Sequence, residues 1–441
     1  MGADTFSDIA VIDLGLERGE PESYHRPGRR TTPSWFGPAL VAVLLLLTTA
    51  ASVPPAPAPI AEVLRVPIGP GDPYAITGGR LLVQSAGLLS SYRLADGERH
   101  WQVVQNEPVY RLRTAGGLLL LQPSTVRGVD PGTTAVALTS GDRQWHTPHN
   151  VVAFPGASLL FAVDGVRSSS SGRRRVQNTV EVLDPAIGLA RWRVRVPNTA
   201  VLTSVPGTGG GPSWIMLVRD DQVADLYDVT SGAHLASRKL PMTDYDPDNP
   251  VAVGGVVLLR HPGSYGIQVS AYDAGTLQPL WTRLARGTER VRACGELACL
   301  TGRNGVRAIE TGTGAERWRQ PAWRSIERFG SRTVAYGPTA TGTDQPVAEV
   351  DPATGQVLTD LTGWKPVPGT AEDGELLVTR EIDPGPRTMV AVVAAGLDRP
   401  RLFTELPEGT GDCQATADRL VCRSMYDELI VWEHRASTVA G

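Results

Sequence analysis

The chain has 441 residues, with 42 Lys+Arg against 46 Asp+Glu, 20% charged and 41% hydrophobic residues, and a formal charge of -4. That length and apolar content suit a large buried core and exclude a disordered chain, while the acidic balance argues against nucleic acid as a partner. Only Lys239 and Lys365 are lysines, an imbalance that reads as coding bias toward arginine. The 48 Gly and 35 Pro disfavour a helical bundle and suit many short strands.

Residues 1–34 carry six acidic and four basic side chains around one apolar stretch, Ile9 to Leu16, and read as a disordered tail. A docking motif using Ile12, Leu14 and Leu16 is the sharper alternative. The only long apolar run follows at 35–53, roughly 28 Å if helical, just enough to span a bilayer. Arg26, Arg29 and Arg30 precede it, so the positive-inside rule predicts a single-pass transmembrane helix with a cytoplasmic N-terminus and everything after it outside, in the cell membrane. A cleaved signal peptide is the competing reading, disfavoured by the long segment before the run. Pro54, Pro55, Pro57 and Pro59 make 54–60 a stiff extended linker.

From 61 to 435 the pattern is all-β: short aliphatic runs broken by Gly, Pro, Asn and Asp, with 436–441 as a disordered end. One unit recurs, in which a Gly turn is followed four residues later by tryptophan. Gly97 leads to Trp101, Gly141 to Trp145, Gly188 to Trp192 and Gly314 to Trp318, and the unit beginning Ala271-Tyr272-Asp273 leads to Trp281. Ala236, Thr359 and Phe403 take the slot in weaker units. Successive slots lie 37 to 47 residues apart, the length of a four-stranded propeller blade. Because one blade cannot bury its own faces, the repeat must continue until a ring closes. Trp101, Trp145, Trp192, Trp281 and Trp318 are the expected blade-docking residues, each laying a large flat ring against the next blade. A lone strand at 62–67 and a strand pair at 419–432 are expected to complete one split blade.

The run Ala308-x-Glu310-x-x-Thr313-Gly314-x-x-x-Trp318 resembles the PQQ-like repeat of quinoprotein-type propellers, a family that includes quinoprotein alcohol dehydrogenases and the assembly lipoprotein BamB. The resemblance covers about 370 residues and implies a β-propeller of eight blades; strict counting of units gives nine, the alternative. The dehydrogenases of that family use an adjacent cysteine pair and a calcium-linked carboxylate base. No adjacent cysteines occur here, so the resemblance implies a BamB-like, non-enzymatic member with no cofactor.

The spacing Cys294 to Cys299 centres on a tight turn at 296–297, and Cys413 to Cys422 on 417–418. Cross-strand neighbours lie within disulfide range, so each pair is expected to be bonded within its hairpin. A zinc site is the alternative, without histidines near either pair. His146 and His149 are separated by Pro148 and have no third ligand in reach. Asp244 to Asn249 opens like a calcium loop but lacks the Gly at its sixth position and the Glu at its twelfth, and reads as a solvated turn. Ser168 to Arg175 reads as a basic inserted loop, and Gly207 to Gly211 is Gly-rich but runs into a strand. No nucleophile elbow, zinc-protease helix, phosphate loop or dinucleotide fingerprint occurs. The expectation is a membrane-anchored, monomeric scaffold outside the cytoplasm that binds a cell-envelope protein or polymer. The alternatives are a sensor with a ligand in the central channel and, behind it, a quinone-dependent oxidoreductase.

Overall fold

The computed structural model describes residues 33, 35–51, 60–105, 109–123, 132–154, 159–168, 174–206, 212–241, 250–339, 342–369, 375–382 and 387–434. The chain divides into two units, Met1–Pro57 and Ala58–Gly441. In the first, the apolar run forms a helix over Phe36–Ala51, 16 residues long. It rises about 24 Å, short of a hydrocarbon core of about 30 Å. Among the described residues no helix is long and apolar enough to cross a membrane. This corrects the expected 35–53 span: the described helix covers 16 residues of the apolar run, fewer than a bilayer crossing needs. With the span go the single-pass topology, the inside-to-outside orientation, the cell-membrane location and the membrane-anchored form of the scaffold.

The second unit is all β. Among the described residues its strands form seven four-stranded sheets and one seven-stranded sheet, each meandering in chain order except the four-stranded sheet that pairs Ile60–Pro67 with the final strands. The seven-stranded sheet is two blades joined by one strand, Ala190–Pro206. Its first half pairs with 179–183 as the outer strand of one blade, and its second half pairs with 212–219 as the inner strand of the next. Blades 1 to 8 therefore occupy residues 74–104, 109–147, 150–196, 200–239, 251–284, 288–320, 325–360 and 365–405. Blade 9 combines Thr410–Ala415, Arg419–Ser424 and Glu428–His434 with the early strand Ile60–Pro67. The count is nine, correcting the expected eight. Even the weakest unit, ending in Phe403, forms a full four-stranded sheet and is no irregular connection.

The packing repeats the count. Among the described residues there are nine clusters of buried apolar side chains, and each lies between two consecutive blades. Blade sheets have two apolar faces, so each interface is its own small core, and the ninth closes the ring. In it Val421, Leu429 and Val431 of blade 9 meet Leu81, Val83 and Leu94 of blade 1. The closure is hydrogen-bonded as well. Ile60–Pro67 runs antiparallel to Glu428–His434, Arg419 Nε donates to Leu94 O (2.7 Å), and the Arg423 guanidinium donates to Gly69 O (2.6 Å) and Asp72 O (2.9 Å).

Candidate functional site

What distinguishes one part of this ring from another is how each junction is sealed. Between the third and fourth strands of a blade the chain turns tightly, with an amide bonded to the carbonyl four residues earlier, as Gly314 N to Glu310 O (2.8 Å) and Gly355 N to Asp351 O (2.8 Å). The aspartates that open these turns cap them: Asp273 Oδ1 accepts the amides of Gly275 (3.1 Å) and Thr276 (2.9 Å), and the Thr276 hydroxyl. These bonds, the Thr276 hydroxyl foremost, hold the Asp273 carboxyl below the usual range.

Onto five of these turns the preceding blade lays its tryptophan. Trp101 Nε1 donates to Leu138 O (2.9 Å), Trp145 to Pro185 O (2.8 Å), Trp192 to Val229 O (3.1 Å), Trp281 to Thr311 O (2.7 Å) and Trp318 to Pro352 O (3.0 Å). The rings press so close to the turn glycine that a Cβ on Gly188 would stand 2.5 Å from Trp145, and one on Gly355 2.6 Å from Trp318. Both glycines also have φ near +70°, where other residues are strained. The turn glycine thus serves the tryptophan of the blade before it, as well as its own turn.

Besides the ring closure, three junctions are made differently. Where Ala236 takes the tryptophan slot, the turn of blade 5 carries Leu277 at φ 56° in place of glycine. Leu277 is 1% exposed and joins Ala236 and Trp214 in the shared cluster, so the volume missing from one blade is supplied by its neighbour. At the Phe403 slot, the phenyl meets the His434 ring edge-on at 6.1 Å. Thr359 makes a polar seal: its hydroxyl lies 2.9 Å from Leu397 O and 3.0 Å from Oε2 of buried Glu349, which also pairs with Arg332. No ring covers Gly396, and a Cβ there would meet nothing within 4 Å.

Beside Thr359 the rim opens into a cleft of about 460 Å³, lined by residues that include Asp360, Trp364, Arg380, Arg399 and Leu402. Clefts also lie along the Trp281 junction, about 340 Å³, and the Trp101 junction, about 460 Å³. None of the lining side chains at the Thr359 junction was singled out in the sequence; the only signal was the missing tryptophan.

The structure joins Cys294 to Cys299 and Cys413 to Cys422, with Cα atoms 5.6 and 4.0 Å apart. Cys294 faces Leu297 and Cys299 faces Arg292, so the first turn lies at Gly295-Glu296, one residue before the expected place, and the bridge runs diagonally. His146 is bonded to the Thr134 hydroxyl (3.1 Å) and stays at the surface. No group of three or more His, Cys, Asp or Glu side chains that could hold a metal occurs among the described residues. Buried His261 bonds Ser270 Oγ (2.8 Å), which bonds Thr282 Oγ1 (2.8 Å), a polar ladder across blade 5. The tail before Pro33, most of the proline linker, Asp244 to Asn249, the Ser169 to Arg173 tip, Gly207 to Gly211 and residues 436–441 lie outside the described residues.

Comparison with known proteins agrees with this architecture. Residues 176–335 match the family model described as outer membrane protein assembly factor BamB. Among solved structures, a eukaryotic initiation factor is similar at 11% identity over 79% of this chain and 90% of its own, with a TM-score of 0.56, a likeness of fold. BamB from Moraxella catarrhalis is matched at 12% identity over 85% of this chain and 98% of its own, with a TM-score of 0.41. A computationally designed protein, Ika8, gives 11% identity, 84% and 99% coverage and a TM-score of 0.42. No curated protein matches the chain. Read together, the Gly-to-Trp repeat, its blades and the matched segment 176–335 make this chain similar to the BamB-like, PQQ-type propellers.

Proposed function

We propose that this chain is a protein-binding scaffold: a stiff ring that presents its rim and loops to a partner protein. The observation that carries the reading is the closure of nine blades through nine separate cores, the last joining strands from opposite ends of the propeller. Such a ring holds its surface in place without help from a ligand, which lowers the entropic cost of docking. In this reading the five docking tryptophans lock the blades, and the two disulfides staple the hairpins of blades 6 and 9. The outer membrane assembly named in the matched family model is not carried over.

The test is in-cell crosslinking of the tagged full chain, followed by reconstitution of the captured protein with purified chain. A partner that binds the purified chain saturably at one stoichiometry supports the scaffold. Capture of nothing beyond what an unrelated tagged propeller captures would count against it.

A further inference from the structure

We propose that the cleft beside Thr359 docks an extended segment of the partner that presents a carboxylate next to an apolar side chain. This rests on the protein-binding reading above and specifies its site. The Arg380 guanidinium stacks over Trp364, its central carbon 4.5 Å from the ring centroid. Stacking fixes the plane of a guanidinium while leaving its N–H groups free to bind a carboxylate. Among the described residues neither Arg380 nor Arg399 makes a hydrogen bond or a close ion pair, and Arg399 interacts with Asp360 only through longer-range charge. The one carboxylate in the lining, Asp360, already accepts the Thr362 amide (2.9 Å) and leaves the cleft with a net positive charge. That amide, foremost, holds the Asp360 carboxyl below the usual range.

The comparison with the Trp281 cleft sharpens the case. There Arg283 reaches Thr313 O (3.4 Å) and Arg307 reaches Thr288 Oγ1 (3.1 Å), so both guanidinium groups are engaged by the chain itself. The indole shows the same contrast. All five docking tryptophans spend Nε1 on the next blade, whereas Trp364, 8% exposed, has no acceptor for Nε1 among the described residues. Leu402, 52% exposed, adds apolar surface, and its strand Arg401–Glu405 ends its sheet with an open edge. An open strand edge beside a side-chain pocket accepts an extended peptide, with backbone pairing along the edge and side chains in the pocket.

The probe is a capped, fluorescein-labelled heptapeptide centred on Asp-Phe-Leu, read by fluorescence polarisation with the full chain. Saturable binding is expected, weakened at least tenfold when the centre is Asn-Phe-Leu or Asp-Ala-Ala, and at least tenfold in the Arg380→Glu/Arg399→Glu variant. An Arg303→Glu/Arg317→Glu variant controls for charge, and thermal melts by circular dichroism confirm that both variants fold. Binding that is absent, that ignores Arg380 and Arg399, or that gives way to equal binding of anionic lipid vesicles overturns the proposal. If the double variant still holds the partner caught by crosslinking, the cleft assignment falls while the scaffold stands.

Discussion

The junctions after Trp281 and after Thr359 are built on the same backbone repeat and sealed by opposite chemistry. At the first, an indole fills the space beneath Gly314 and donates to Thr311 O. At the second, a small hydroxyl bonds the neighbouring turn and a buried carboxylate, which Arg332 neutralises. Both satisfy their polar groups, but only the indole adds a large apolar area. Closing a ring therefore requires every junction to be satisfied and does not require every junction to be filled.

The largest effect should separate the two seals directly. Trp281→Ala removes a large ring from a partly buried site and should cost about 3–5 kcal/mol, whereas Thr359→Ala, which strips one hydroxyl from Glu349 and Leu397, should cost about 1–3 kcal/mol. Equal losses in chemical denaturation would mean that the seals are equivalent. The glycines give the next contrast. Gly355→Ala meets both left-handed strain and the Trp318 ring and should cost about 3 kcal/mol or more, while Gly396→Ala, at φ 82° with open space around it, meets the strain alone, about 1–2 kcal/mol. Melting temperatures of the two variants decide the point.

The smallest effect concerns the His434 seal beside Phe403. Burial pushes the His434 imidazole below its usual pKa, and its Nδ1 has no hydrogen-bond partner among the described residues. The folded ring thus prefers the neutral form, so this contribution is fully present above the unfolded pKa of about 6.5 and is lost as pH falls below it. The Thr416 carbonyl, then Asp418 and Glu375, favour the charged form and Arg419 opposes it, which makes the net loss modest. Melting at pH 7.5 and pH 5 should show a smaller acid-induced drop for His434→Gln than for the parent chain; an identical drop would assign acid sensitivity elsewhere.

Much of the repeat was legible because it is local. A turn glycine at a fixed distance before a tryptophan reflects one contact made again and again, so its period marks the blades without knowledge of their arrangement. The apolar run at 35–53 misled for the same reason: hydropathy measures composition, whereas the described helix, Phe36–Ala51, is shorter than the run. The first hairpin was misplaced by one residue because Gly295, at φ 62°, takes the turn that spacing alone put at 296–297.

By itself, then, the sequence determined the all-β class, the blade period, the tryptophans that face a neighbouring turn and the strands that make up the split blade. Tertiary structure decided the rest. The ninth blade depends on a ring that closes between residues some 365 positions apart, Ile60 against His434 and Arg65 against Ile430. The exchange of Ala236 for Leu277 is a volume shared across two blades, visible only where they touch. So is the cleft beside Thr359, whose arginines come from a strand (Arg380) and from a turn (Arg399) of blade 8 and acquire a common purpose only when folding brings them to one rim. Local propensities are written residue by residue, but volume and charge balance belong to neighbours that only the folded ring brings together.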